Sequence, residues 1–156
     1  AADVMVERLF REPLHLVCAP DHPLADRKTV LDDDLNGENF IALPAEFTLH
    51  DQVADIAFAA GANIDNRYTG TSLDALRQMV SMNMGLTLLP ALYFDSEVAG
   101  RNKDLVILPF RTRTLTRSIG LCRRRSSREH DAYHALSQAI RSQVVMHFGT
   151  LIQMEA

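Results

Sequence analysis

Residues 40–61 read FIALPAEFTLHDQVADIAFAAG, and this stretch decides the fold class. Phe40 to Leu43 is a short apolar run with the length of a buried strand, and Pro44 stops it. Leu49, Val53, Ile56, Ala57 and Ala60 then recur at i, i+4, i+7, i+8 and i+11, the stripe of an amphipathic helix. Thr48 stands where an N-cap belongs, Asp51 lies near the positive end of the helix dipole, and Gly61 is the natural stop. A strand, a turn and a capped helix make one α/β unit.

The signature repeats downstream. In residues 68–80, YTGTSLDALRQMV, Tyr68-Thr69 reads as strand and Thr71 or Ser72 caps a helix with Asp74 in its first turn. Leu73, Leu76, Met79 and Val80 form its apolar stripe, and Gly85 ends the turn that follows. Leu86–Leu89 and Leu105–Leu108 read as further strands, each stopped by a proline. Upstream, Pro13–Cys18 reads as strand, Asp21-His22-Pro23 as a turn, and Asp32-Asp33-Asp34 as a solvated turn or helix start. Near the end, an Ile119–Cys122 strand runs into Arg123-Arg124-Arg125. A long amphipathic helix follows from about Ser127 to His147, with Tyr133, Leu136, Ile140 and Val144 on one face. Strands alternating with helices imply an α/β fold with a largely parallel sheet.

In such sheets ligands bind beyond the carboxyl ends of the strands, where helix N-termini gather. Phe47-Thr48 and Thr71-Ser72 each follow a strand and open a helix. Together they offer backbone N–H groups and three hydroxyls to one crevice, which favours a small polar or anionic ligand. Caps also exist merely to stabilise helices, and the residues alone leave both readings open.

Composition bounds the function. The chain has 156 residues, 47% apolar and 23% charged, an ordinary globular balance. No run approaches the roughly 18 to 20 apolar residues of a membrane span, so no membrane partner is expected. The chain opens at Ala1 without a basic-then-apolar leader, which reads as cytoplasmic. Cys18 and Cys122 cannot build a disulfide framework. Both fall in predicted strands beside Leu and Val and read as small buried hydrophobes.

Residues 1–100 hold 6 Lys+Arg and 16 Asp+Glu, whereas residues 101–156 hold 10 and 4. Fourteen of the 16 basic residues are Arg, and Arg123–Arg125 with Arg128 form the densest patch. It lies at a strand end and lacks interleaved aromatics, so surface charge or pairing with an acidic neighbour is favoured over nucleic-acid contact. His130 and His134 stand at i and i+4 as in a zinc-protease helix. Asp131 replaces the usual Glu and no third ligand is near, so a solvated face is the reading. No nucleophile–base motif, P-loop or Gly-x-Gly-x-x-Gly occurs, so neither an enzyme nor a cofactor or metal site is expected.

Five segments appear in a familiar order: Leu9-Phe10-Arg11-Glu12-Pro13-Leu14, Asp21-His22-Pro23-Leu24-Ala25, Thr71–Val80, Gly85–Leu92 and Ser118-Ile119-Gly120-Leu121. In this order and spacing the chain resembles the LysR-type transcriptional regulators to about residue 145, and most of all their peroxide-sensing OxyR branch. The resemblance implies an effector-binding domain of two α/β subdomains like periplasmic binding proteins. Residues 1–17 would hold the end of subdomain I and the first crossover, 18–115 a complete subdomain II, and 116–156 the return strand and C-terminal helix of subdomain I. It implies a C-terminal fragment, with DNA contacted only through a missing N-terminal winged helix-turn-helix, and a homodimer or tetramer.

By family position the effector site would comprise Phe47, Thr48, Leu49, Asp51, Thr71 and Ser72, with Gly85 and Leu86 nearby. The departure from the OxyR pattern concerns the same place. Where that branch carries its peroxide-reactive cysteine preceded by His, this chain has Thr48 preceded by Phe47, and the second redox cysteine aligns with Ala57. A hydroxyl cannot do thiolate chemistry. Thr or Ser at this position is what small-molecule-sensing members carry against a bound carboxylate, so the expected partner is a small organic anion. The alternatives are thiol redox sensing at Cys18 or Cys122, and a transporter-type solute-binding protein.

Overall fold

A computed structural model describes residues 3–100 and 103–156. Strand β1 runs from Val4 to Cys18, well beyond the Pro13–Cys18 strand expected from the sequence. Glu7, Arg8, Arg11 and Glu12 mask the alternation of its first half, and only pairing with a distant segment makes that half a strand. The chain separates into two compact units, Ala1–Pro13 with Leu115–Ala156, and Leu14–Thr114. The sequence reading placed the breaks at 17/18 and 115/116.

In the larger unit, β1 supplies Leu14–Cys18. A one-turn 3-10 helix, Asp32–Leu35, occupies the acidic run, and β2 (Asn39–Ala42) leads to α1 (Thr48–Ala60). Gly61 closes α1 in the left-handed conformation at φ 66°, which a residue with a Cβ adopts only under strain. β3 (Asn63–Thr69), α2 (Leu73–Ser81), β4 (Thr87–Pro90), α3 (Ala91–Tyr93), a π-turn at Phe94–Val98 and β5 (Val106–Ile107) complete the unit.

β2 and β3 pair in parallel, and a parallel bridge from Phe40 to Leu86 joins β2 to β4. β4 and β5 both flank β1 in antiparallel register. The resulting order is β3-β2-β4-β1-β5. Four strands are mutually parallel and β1 is reversed. Strand–helix alternation could signal only the parallel crossovers, because no helix connects β1 into its ladders. Phe40, Ile41, Val53, Ile56, Leu76, Val80, Leu86, Leu88 and Leu89 make the core, each at 1% exposure or less. Burial of each such side chain is worth ~1.5–3 kcal/mol.

The smaller unit contains Val4–Pro13 of β1, β6 (Thr116–Arg124), α4 (His130–Phe148) and β7 (Gln153–Met154). β6 pairs antiparallel with β1 from Val4↔Arg124 to Pro13↔Thr116, with a bulge between Arg8 and Phe10. Two polar clamps hold the unit. Glu12, 1% exposed, accepts from Arg117 Nε at 2.7 Å. Arg141 donates to the carbonyls of Arg8 at 2.7 Å and Glu155 at 2.5 Å.

α4 begins at His130 rather than near Ser127. Tyr133, Ile140 and Val144 are half-buried and Leu136 is 48% exposed, so its apolar stripe is not fully covered. Its one buried residue is Ser137, whose hydroxyl donates to Glu7. No helix among the described residues is long and apolar enough to cross a membrane.

Candidate functional site

The carboxyl ends of β2 and β3 lie side by side. Ala42 pairs with Thr69, and the Gly70 N–H donates to the Ala42 carbonyl at 3.1 Å. The loop into α1 and the loop into α2 therefore leave the same end of the sheet. Phe47, Thr48, Thr71 and Ser72 are all exposed there, and Asp51 is exposed in the first turn of α1. Leu49 faces inward, 6% exposed. Gly85 and Leu86 are not brought into this group. Both are buried beside β2, where Leu86 exchanges backbone bonds of 2.8 Å with Asn39 and Ile41. They belong to the core because the Phe40–Leu86 bridge ties the start of β4 to β2.

The two helix starts are built differently. Ser72 is the N-cap of α2, and its hydroxyl oxygen accepts from the Ala75 N–H at 3.1 Å. The expected Thr48 cap is not observed. Phe47 is the N-cap, Thr48 is already the first helical residue, and no side chain caps α1. The Thr48 hydroxyl is thus not used in capping, and the first N–H groups of α1 have no side-chain acceptor. His50 anchors this turn, its Nδ1 lying 2.7 Å from the Leu43 carbonyl. A carbonyl only accepts, so Nδ1 is the donor in this bond and Nε2 is the ring nitrogen left over.

Beside these loops is a pocket of about 160 Å³ lined by Ala42–Ala45, His50, Ile64, Asp65, Asn66, Tyr68 and Thr69. It arises from a bulge. Phe40 opposes Ile64 and Ala42 opposes Thr69, so β3 fits extra residues against Ile41 alone. Asp65 folds the bulge by accepting from Arg67 Nε at 2.9 Å and Nη2 at 2.8 Å, and the Arg67 hydrogen bond holds its carboxyl below the ordinary range. Arg67 also lies 5.7 Å from the Tyr68 ring centroid. Sequence reading missed His50, Asp65 and Asn66 because bulge register leaves no periodic trace. A histidine in the first turn of α1 was the available signal.

At the start of α2, the Tyr93 hydroxyl donates to Asp74, and burial, reinforced by that bond, pushes the tyrosine up to about 12. Arg77 Nη1 donates to Asp104 at 2.6 Å. These bonds pin α2 from its outer side and leave Thr71 and Ser72 exposed.

The cysteines part company. Cys18 is buried in β1, and desolvation, with lesser contributions from Glu38 and Asp21, pushes its thiol up to about 11. Cys122, expected to be buried, is exposed. Strand period two places it with Ser118, Gly120 and Arg124 on the outer face of β6. His130 and His134 are both exposed on α4, and among the described residues no group of three His, Cys, Asp or Glu side chains could hold a metal.

Residues 1–145 match the family model described as LysR substrate binding domain. The chain is 39% identical over 146 residues to the DNA-binding transcriptional dual regulator OxyR of Escherichia coli strain K12, covering 93% of this chain and 47% of that protein. It is 31% identical over 120 residues to the transcriptional dual regulator GltC of Bacillus subtilis strain 168, covering 77% and 39%. The crystal structure of the oxidized form of OxyR superimposes with a TM-score of 0.76 at 38% identity, covering 94% of this chain and 68% of that one. The chain spans about half the length of the curated OxyR relative it matches.

Proposed function

The chain belongs to the LysR substrate-binding-domain family, and from that premise we propose that it senses a small organic anion for a bacterial transcriptional regulator. The observation that carries this reading is the shared exit of two helix starts from one sheet end, with Thr48, Thr71 and Ser72 exposed on them. Uncapped N–H groups and the positive helix ends favour a carboxylate there, and the hydroxyls supply further donors. The small pocket beside them adds His50 Nε2 as a partner for a polar substituent of the same ligand.

A ligand held by this wall acts as a signal only through unequal affinity for two arrangements of the regulator. In this reading the full-length protein is a cytoplasmic homodimer or tetramer and contacts DNA through a separate N-terminal domain. Residues 18–115 carry the sensing wall described above. The relatives it matches are transcriptional regulators, which supports binding as its role.

Calorimetry of the full-length polypeptide against a panel of small mono- and dicarboxylates tests the reading. Thr48→Val removes the free hydroxyl while keeping the volume and should weaken the best ligand about tenfold, the worth of one hydrogen bond to a charged group. Unchanged affinity in Thr48→Val would remove Thr48 from the site.

Redox sensing has one observation in its favour, the exposed Cys122 thiol. Mass spectrometry after mild peroxide separates the readings: Cys122 sulfenic acid supports redox sensing and two inert thiols end it.

A further inference from the structure

Among the described residues, seven arginines each face a carboxylate within 4 Å: Arg11, Arg27, Arg67, Arg77, Arg113, Arg117 and Arg141. Arg8 and Arg111 stand singly without such a partner, whereas the run at and just after the end of β6 gathers four. Arg123, Arg124, Arg125 and Arg128 make no ion pair with any described residue. The pairing with an acidic neighbour that the sequence suggested is therefore not observed.

One of the four is also anomalous in burial. Arg123 Nη1 is shut off from solvent and has no hydrogen-bond partner among the described residues. Its guanidinium lies 5.9 Å from the Tyr133 ring centroid, a contact that supplies no hydrogen-bond acceptor. A guanidinium stays charged at every physiological pH, so it cannot escape this cost by losing its proton. Arg123 as a whole is half-buried and lines a surface pocket, where an acceptor can meet the part of the guanidinium that is not shut off.

The surroundings define what that acceptor is. A surface pocket of about 650 Å³, contained within the smaller unit, is lined by Arg123, Arg124 and Arg128, by Ser126 and Ser127, and by Tyr133. Three guanidinium forks offer only hydrogens and the two hydroxyls can donate as well, which suits a ligand that carries its own negative charge. Glu129 is the opposing carboxylate on the rim, which leaves a net charge of about two positives. A single carboxylate would leave most of these donors unused. A group with several oxygens and two or more negative charges uses them.

We propose that this pocket binds the phosphate or diphosphate group of a small molecule, as a second anion site separate from the helix-start site. Arg123, half-buried, is its anchor, and the exposed Arg124 and Arg128 are its outer clamp. The volume leaves room for an organic body beyond the charged group, which the Tyr133 ring can stack against.

The test uses the natural full-length polypeptide that carries this chain, with inorganic pyrophosphate as probe. Calorimetry at low and moderate ionic strength should show saturable binding, and Arg123→Gln should weaken it about tenfold or more. Lys28→Gln, at an exposed cation of the larger unit, should leave it unchanged. Backbone NMR shifts should cluster at residues 123–133. Equal loss in Lys28→Gln would mean general charge screening and overturn the site. So would absence of binding, which would show that another part of the longer protein supplies the acceptor for Arg123. Displacement of pyrophosphate by duplex DNA at low micromolar concentration would assign the arginines to DNA backbone and overturn the small-molecule reading.

Discussion

Ser72 joins stability to ligand chemistry in one side chain, so its replacement can separate the two. Its oxygen accepts from the Ala75 N–H at 3.1 Å and is the only side-chain cap on α2. α2 has nine residues, shorter than the ~12–15 at which an isolated helix becomes even marginal. Two buried side chains, Leu76 and Val80, hold it to the sheet, the Tyr93–Asp74 and Arg77–Asp104 bonds pin its outer side, and the cap closes its start. Ser72→Ala should therefore cost ~1 kcal/mol, toward the lower half of the usual capping range because the site is exposed. In a chain of this size that lowers the melting temperature by about 2–4 °C.

Ser72→Asp keeps a capping oxygen and adds a charge favoured by the helix dipole, partly offset by Asp74 in the same turn. Its stability should stay within about 0.5 kcal/mol of the parent. That added charge faces any bound anion, so carboxylate affinity should fall in Ser72→Asp far more than in Ser72→Ala. Urea unfolding followed by far-UV circular dichroism, which suits a chain without Trp, measures the first effect. Hydrogen exchange at Ala75 and Leu76 localises it, and calorimetry measures the second. An unchanged urea midpoint in Ser72→Ala would refute the cap energetics. Full carboxylate affinity in Ser72→Asp would refute the placement of the ligand.

Gly85→Ala should destabilise the larger unit by about 1–3 kcal/mol, because a Cβ there lies 2.8 Å from the Asn39 carbonyl oxygen and 3.0 Å from Ile41; the urea midpoint reads it. Cys18 predicts an alkaline weakness. Its folded thiol sits at about 11 against an ordinary 9.0, so the folded state keeps a proton that the unfolded chain gives up. That contribution is complete below pH 9.0 and is lost as pH rises toward 11, at up to about 1.4 kcal/mol per pH unit. The stability gap between the parent and Cys18→Ala should shift by that amount between pH 8.5 and 10.5, on the order of 2 kcal/mol in all. A gap independent of pH would show that Cys18 does not titrate differently on folding.

Local patterns determined much of this protein. The stripe Leu49–Val53–Ile56–Ala57–Ala60 and the stop at Gly61 define α1, and Ser72 with Leu76 and Val80 defines α2, because period 3.6 and capping chemistry are written in neighbouring residues. The exposed positions at both helix starts follow from the same signals. Tertiary structure alone decided what depends on pairing partners far along the chain. The charged first half of β1 becomes strand only against β6, and β1 runs against every strand it touches. The bulge that opens the His50 pocket exists because Ala42 found Thr69 rather than a nearer residue. Gly85 and Leu86 left the site for the core through their bridge to β2. The Arg123 run reads as plain surface charge in one dimension. Only the folded chain shows that, among the described residues, seven arginines have carboxylates while these four gather without one. Helices carry their hydrogen bonds within a few residues, whereas strand register, burial and charge pairing are settled between segments that meet only when the chain has folded.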